Sequence, residues 1–201
     1  MFYEPSKGHG LPHDPFKALV SPRPIGWIST VGRDGALNLA PYSFFNAFSG
    51  KPPLVWFSSE GQKDSATFAG ETREFVANIV GRDLAERMNR SSVNAPRGVS
   101  EFEYAGLTPV PSRLVAPPRV AEAPAALECK VTEIFRPKGL DGNEIGAFVV
   151  IGEVVGVHID EAFLKEGLYD TVKAGNVARL GYMDYSTVDA VFSMHRPRWE
   201  D

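Results

Sequence analysis

The chain has 201 residues, 43% hydrophobic and 23% charged, which are ordinary proportions for a globular domain able to bury one core. A formal net charge of -4 speaks against a general nucleic-acid binder, and a lone cysteine, Cys129, excludes an intrachain disulfide. No apolar run approaches the ~20 residues that span a bilayer, and residues 1–10 lack an apolar signal core. The expectation is one cytoplasmic domain over residues 1–201, with neither membrane nor nucleic acid as a partner.

Residues 1–20 are rich in proline, glycine and polar side chains and read as an extended arm with a short helix at 14–20. His9 and His13 lie four apart, but Gly10 and Pro12 oppose a helix and no cysteine or acidic cluster completes a ligand set, so no metal is expected. Pro22, Arg23 and Pro24 then give a stiff entry to residues 25–31 (IGWISTV), a buried strand. Residues 32–35 (GRDG) are a turn signal, and 36–40 (ALNLA) alternate like a second strand. Beyond this hairpin stand Pro41, Tyr42, Ser43, Phe44, Phe45 and Asn46. Pro41 is expected to stop the ladder and free backbone groups for a ligand. Three aromatics beside a hydroxyl and an amide suit a planar heteroaromatic molecule; the alternative is that they feed the core.

Residues 50–53 form a loop and 54–59 (LVWFSS) a strand. Asp64 and Ser65 are good N-cap types, so a helix is expected from there to about Gly70. Its N-terminus, with Lys63 and the Ser65 hydroxyl, either cradles a phosphate or is simply capped beside a solvated lysine. Asp64 would repel a phosphate unless it caps the helix or pairs with Lys63. In the strand 74–80, Asn78 shares a face with Val76 and Val80, where its amide needs partners: neighbouring backbone, or a ligand. Residues 82–89 have helical spacing, with Leu84 and Met88 as core. Residues 90–118 are a loop-rich excursion, in which Arg97, Phe102 and Tyr104 are candidates to cover a flat cofactor or to anchor a surface loop.

Residues 125–135 alternate as a half-exposed strand that puts Cys129 with Leu127 and Val131, a buried and inert thiol. Residues 140–144 read as a hairpin turn. The strand 147–159 is interrupted by Gly152 and Gly156, which predict bends or bulges of a curved sheet, and His158 at its end is structural. Residues 160–168 are expected to form one helix, and 173–185 a turn carrying Arg179, Tyr182 and Tyr185. The basic, aromatic end at 195–199 is expected to pack on a subunit surface. No G-x-G-x-x-G opens a helix after a strand, and Walker A and G-x-S-x-G motifs are absent, so no catalytic side chain is assigned.

The run SPRPIGWISTVGRDGALNLAPYSFFN (21–46), with QKDSA (62–66), EFVANIV (74–80), SRLVAPPR (112–119) and RLGY (179–182), resembles the flavin reductase-like family. The resemblance implies a mainly β fold, an antiparallel, Greek-key-like, FMN-binding split β-barrel with a few short helices, forming a homodimer. It also implies an FMN phosphate near residues 63–65, which turns the choice there toward a cradle. Lys63 and Ser65, with Ser29 or Thr30, would meet that phosphate, and Asp64 adjoins it. Backbone around Trp27–Thr30 and Ala40–Asn46 would meet the ring edge, with Arg23 and Asn78 completing the cofactor set and Ala40, Pro41, Tyr42, Ser43, Phe44, Phe45 and Asn46 lining it. Arg97, Arg179, Tyr182 and Tyr185 would wall the substrate space. The implied activity is that of an NAD(P)H:flavin reductase passing electrons through FMN to oxygen, a partner oxygenase or another acceptor. The alternative is an FMN-binding carrier without turnover of its own.

Overall fold

The computed structural model describes residues 1–96 and 99–199. Its alternating segments become seven strands: β1 (Gly26–Val31), β2 (Leu37–Tyr42), β3 (Phe45–Gly50), β4 (Pro53–Glu60), β5 (Glu74–Asn78), β6 (Ala125–Phe135) and β7 (Ala147–Ile159). They form a single sheet in the order β2-β1-β5-β6-β7-β4-β3, and each pairing is antiparallel. The edge strands β2 and β3 are consecutive in the chain, with only Ser43 and Phe44 between them. The sheet must therefore curl until its edges meet. The Ser58 N–H donates to the Phe44 carbonyl at 2.8 Å, and the Tyr42 and Phe57 rings pack 5.0 Å apart across the seam. The result is the expected mainly β split barrel with short helices.

Glycine supplies the curvature. In β7 the register shifts between Ile151 and Gly152 and again between Val154 and Gly156, bulges that bend the strand at the two glycines. At Gly152 a side chain has no room, because a Cβ would lie 2.7 Å from Cζ of Phe75.

The two faces of β1 serve two cores. Ile28 points into the barrel with Phe57, Phe75, Ala77, Cys129 and Val150, and the helix α1 (Asp64–Thr72) adds Ala66 and Ala69 to this cluster. Trp27 points the other way and packs with Leu39, Leu84, Met88 and Phe102, under α2 (Ala85–Arg90) and α3 (Glu101–Ala105). Among the described residues no helix is long and apolar enough to cross a membrane.

Several local expectations change. Pro41 does not end its strand; it pairs in register with Trp27. A proline is tolerated there because β2 is an edge strand whose other side needs no donor. Residues 45–50, where the sequence predicts no strand and places Gly50 in a loop, form β3. Residues 160–168 are not one helix: Glu161–Phe163 is a single 3-10 turn, and Leu164–Lys165 pairs with Leu168–Tyr169. Glu166 and Gly167, both at positive φ, make the tight turn between those two short strands. Phe102 is fully buried rather than available as a cover.

Candidate functional site

Alternation along β2 sends Asn38, Ala40 and Tyr42 to one side, and these three, with Pro41, line a cavity of about 270 Å3. The start of α1 contributes Lys63, Asp64 and Ser65, and residues 92–95 with Glu101 close the space. Lys63 itself is the N-cap, and no side chain caps the first turn. The cap expected at Asp64 or Ser65 thus falls on Lys63 instead, leaving the first-turn amides without a side-chain acceptor among the described residues and Asp64 within the turn. Uncapped amides, the positive end of the helix dipole and a lysine make a site for an anion.

The polar lining is held in order. Ser65 is buried, and its hydroxyl accepts from the Asn38 amide at 2.7 Å; the same amide donates to the Thr30 hydroxyl at 3.2 Å. The Tyr42 phenol contacts the Ser59 hydroxyl at 3.5 Å, while burial pushes its pKa up. Glu101 accepts the Leu39 N–H at 3.0 Å, and burial, above all other influences, raises its carboxyl above the ordinary range. Asn38, Glu101 and residues 92–95 are the lining residues that sequence reasoning missed. Asn38 left a signal, a polar residue at an inward step of a strand, whereas nothing local separates Glu101 from Glu103.

The rest of the expected set divides. Arg23, Ser43, Phe44, Phe45 and Asn46 line a second cleft of about 360 Å3 under the N-terminal arm. There the Phe44 ring lies beneath the Lys17 ammonium at 5.6 Å and the Arg23 guanidinium at 6.0 Å. Arg23 donates to the carbonyls of Lys17, Val20 and Leu180, and its buried Nε has no protein partner among the described residues. Burial, then the like charge of Arg179, lowers its pKa. Trp27, Ser29, Thr30 and Asn78 line neither space. Trp27 donates to Ser91 at 2.8 Å, and Ser29 donates to the Pro118 carbonyl. Asn78 donates to the Trp27 carbonyl and accepts from the Val120 N–H, each at 2.9 Å, so its amide is engaged by backbone.

Arg179 and Tyr185 line a third cleft of about 560 Å3 with Met88, Asn89, Arg90 and Met183. The Arg179 guanidinium lies 4.5 Å from the Tyr185 ring centre and donates to the Tyr185 hydroxyl and the Tyr182 carbonyl. Tyr182 is half exposed, and its ring meets His13 edge-on at 5.9 Å. The segment 88–95 joins this cleft to the first cavity, since its start lines one and its end the other. Arg97 lies outside the described residues.

Residues 19–178 match the flavin reductase like domain family. An uncharacterized protein of Halalkalibacterium halodurans is 39% identical over 183 residues, covering 89% of this chain and 87% of that protein. Component B of nitrilotriacetate monooxygenase from Bacillus cereus is 29% identical and superposes with a TM-score of 0.87, covering 96% of this chain and 98% of that one. A Shewanella frigidimarina protein described as a flavin reductase with a split barrel domain is 25% identical, with a TM-score of 0.81 and 90% of each chain covered.

Proposed function

The chain belongs to the flavin reductase-like family, and from that premise we propose that it is an FMN-dependent oxidoreductase taking electrons from NAD(P)H. The observation that carries this reading is the first cavity, where Lys63 and the uncapped start of α1 face the Ala40–Tyr42 end of an edge strand. The donor set fits the cofactor in kind. A phosphate ester calls for a cation and free amides, and a flat ring with a polar edge calls for aromatic and amide surface. The second cleft adds Phe44 and the Arg23 Nε, which has no partner among the described residues.

In this reading Lys63 neutralises the phosphate. Asn38 and Ser65, locked to each other, hold the wall against which it rests. Ala40, Pro41 and Tyr42 border the ring, and Arg179, Tyr182 and Tyr185 border the nicotinamide, with Arg97 as a further contact. Bound FMN supplies the hydride chemistry, so no side chain need act as acid or base. The likeness to a monooxygenase component supports an oxygenase as the electron acceptor. We further assign the chain to a homodimer, a single domain and the cytoplasm.

The test is anaerobic addition of NADH or NADPH to the FMN-loaded protein in a stopped-flow instrument. Bleaching of flavin absorbance by one of them is expected. Retained FMN with no bleaching by either would make the protein a flavin carrier.

A further inference from the structure

Resting on the reading of the first cavity as the phosphate site, we propose that FMN binding is coupled to proton uptake at Glu101, which then hydrogen-bonds the phosphate as a neutral acid and selects the phosphorylated flavin. Among the described residues the cavity carries one cation, Lys63, against two carboxyl groups, Asp64 and Glu101. With both ionised, a phosphate dianion would enter a site already negative. Asp64 is half-buried in the first turn of α1, where solvent and the helix dipole offset its charge. Glu101 also stands in the first turn of a helix, the five-residue α3, but it lacks the solvent. It is 8% exposed, it is tethered through Oε2 to the Leu39 N–H, and it cannot swing into solvent without breaking that bond.

Among the described residues the surroundings of Glu101 supply no free cation that could keep it charged beside the ligand. From α1 it faces Lys63, which the phosphate claims, and Asp64, whose charge opposes ionisation. From β2 it faces Tyr42, a phenol that burial keeps neutral. On α2, Arg87 is paired with Glu122, and Arg90 donates to the Tyr104 carbonyl. Glu103 on the same helix is exposed, and residues 92–95 bring no ionisable group. Burial already disfavours the charged form of Glu101 before a ligand arrives. A second negative group a few ångströms away moves it further in the same direction, and the proton comes from solvent. The neutral carboxyl then donates O–H to a phosphate oxygen while Oε2 keeps the Leu39 amide.

The experiment is calorimetric titration of flavin-free protein with FMN and with riboflavin, in buffers of different ionisation enthalpy. A pH above the second phosphate ionisation, about 6, leaves the free ligand a dianion. Wild type is expected to take up close to one proton more with FMN than with riboflavin. Its FMN Kd should weaken by up to tenfold per pH unit once Glu101 is ionised in the free protein. Glu101→Gln keeps a neutral donor and an acceptor for Leu39, so its FMN affinity should be flat with pH and its excess uptake lost. Equal uptake with the two flavins in wild type overturns the proposal without recourse to a variant, as does unchanged uptake in Glu101→Gln. Lys63→Ala separates the premise from the inference. If it weakens FMN and riboflavin alike, the cavity is not the phosphate site and both fall; if it weakens FMN alone while Glu101→Gln retains the uptake, only the inference falls.

Discussion

At the scale of single residues, the contact between Gly152 and Phe75 shows how one missing side chain shapes the barrel. The Phe75 ring fills the place a Cβ would occupy, directly beside a register shift of β7. Gly152→Ala must push a fully buried ring aside in a close-packed interior, a kind of overpacking that costs about 1–3 kcal/mol. Urea denaturation should show that loss, and shrinking the ring with Phe75→Leu in the same chain should recover part of it. No recovery would mean that the strain lies in the backbone instead. In the proposed reading Lys63 operates at the same scale, but on ligand. Lys63→Ala is expected to lower FMN affinity by the worth of one charged hydrogen bond, about 1.5–3 kcal/mol, and to leave riboflavin binding unchanged.

At the scale of elements, α1 begins on a residue that cannot cap it. A helix placed only for stability would start on Ser, Asp or Asn, so Lys63→Ser should raise stability by about 0.5–1 kcal/mol while weakening FMN binding. Thermal melts and fluorescence titration of the same variant would expose that opposition; a variant that neither gains stability nor loses affinity would argue against an open helix start. The end of β6 and β7 holds a different device. Glu128, fully buried, accepts the N–H groups of Arg113 at 2.8 Å and Leu114 at 2.6 Å, and His158 of β7 bonds the same carboxylate. Burial works against its charge, but the Arg113, His158 and Leu114 hydrogen bonds together win and hold its pKa below the ordinary value of 4.5. A carboxyl depressed in the folded state contributes stability that is fully present above its unfolded pKa and is lost as pH falls through the folded one. Melting temperature should therefore drop on acidification below the ordinary carboxylate range. Glu128→Gln should be less stable at neutral pH by about 1.5–3 kcal/mol and should lose part of that acid-dependent drop.

For the whole molecule, the chain leaves Phe192 and Met194 more than four-fifths exposed and Trp199 fully exposed, on a terminal stretch that has no helix or strand after residue 187 among the described residues. Large apolar groups grouped in this way are normally covered. A second copy is the partner that a symmetric assembly offers most simply. Sedimentation equilibrium at micromolar concentration is expected to return a dimer, and truncation before Val191 to weaken it. A stable monomer of the full chain would remove both the dimer and this role for the tail.

What the sequence determined by itself was everything that repeats over a few residues. The alternation at 125–135 and 147–159 marked β6 and β7 to their last residues, Gly152 and Gly156 marked the bulges, and the position of Cys129 marked a buried thiol. The motif at 21–46 carried the family and with it the split barrel. Tertiary structure alone decided what depends on partners far along the chain. Pro41 could stay in a strand only because β2 lies at the sheet edge, and an edge is a property of strand order. Asn78 had two open readings until its amide met the Trp27 carbonyl and the Val120 N–H. Glu101 entered the site through Leu39, sixty-two residues earlier, a contact with no local trace in either segment. Periodicity records which face of an element is buried, but not what buries it. The chemistry of this cavity arises where β2, α1 and α3 converge, so its charge balance became visible only once the barrel had closed.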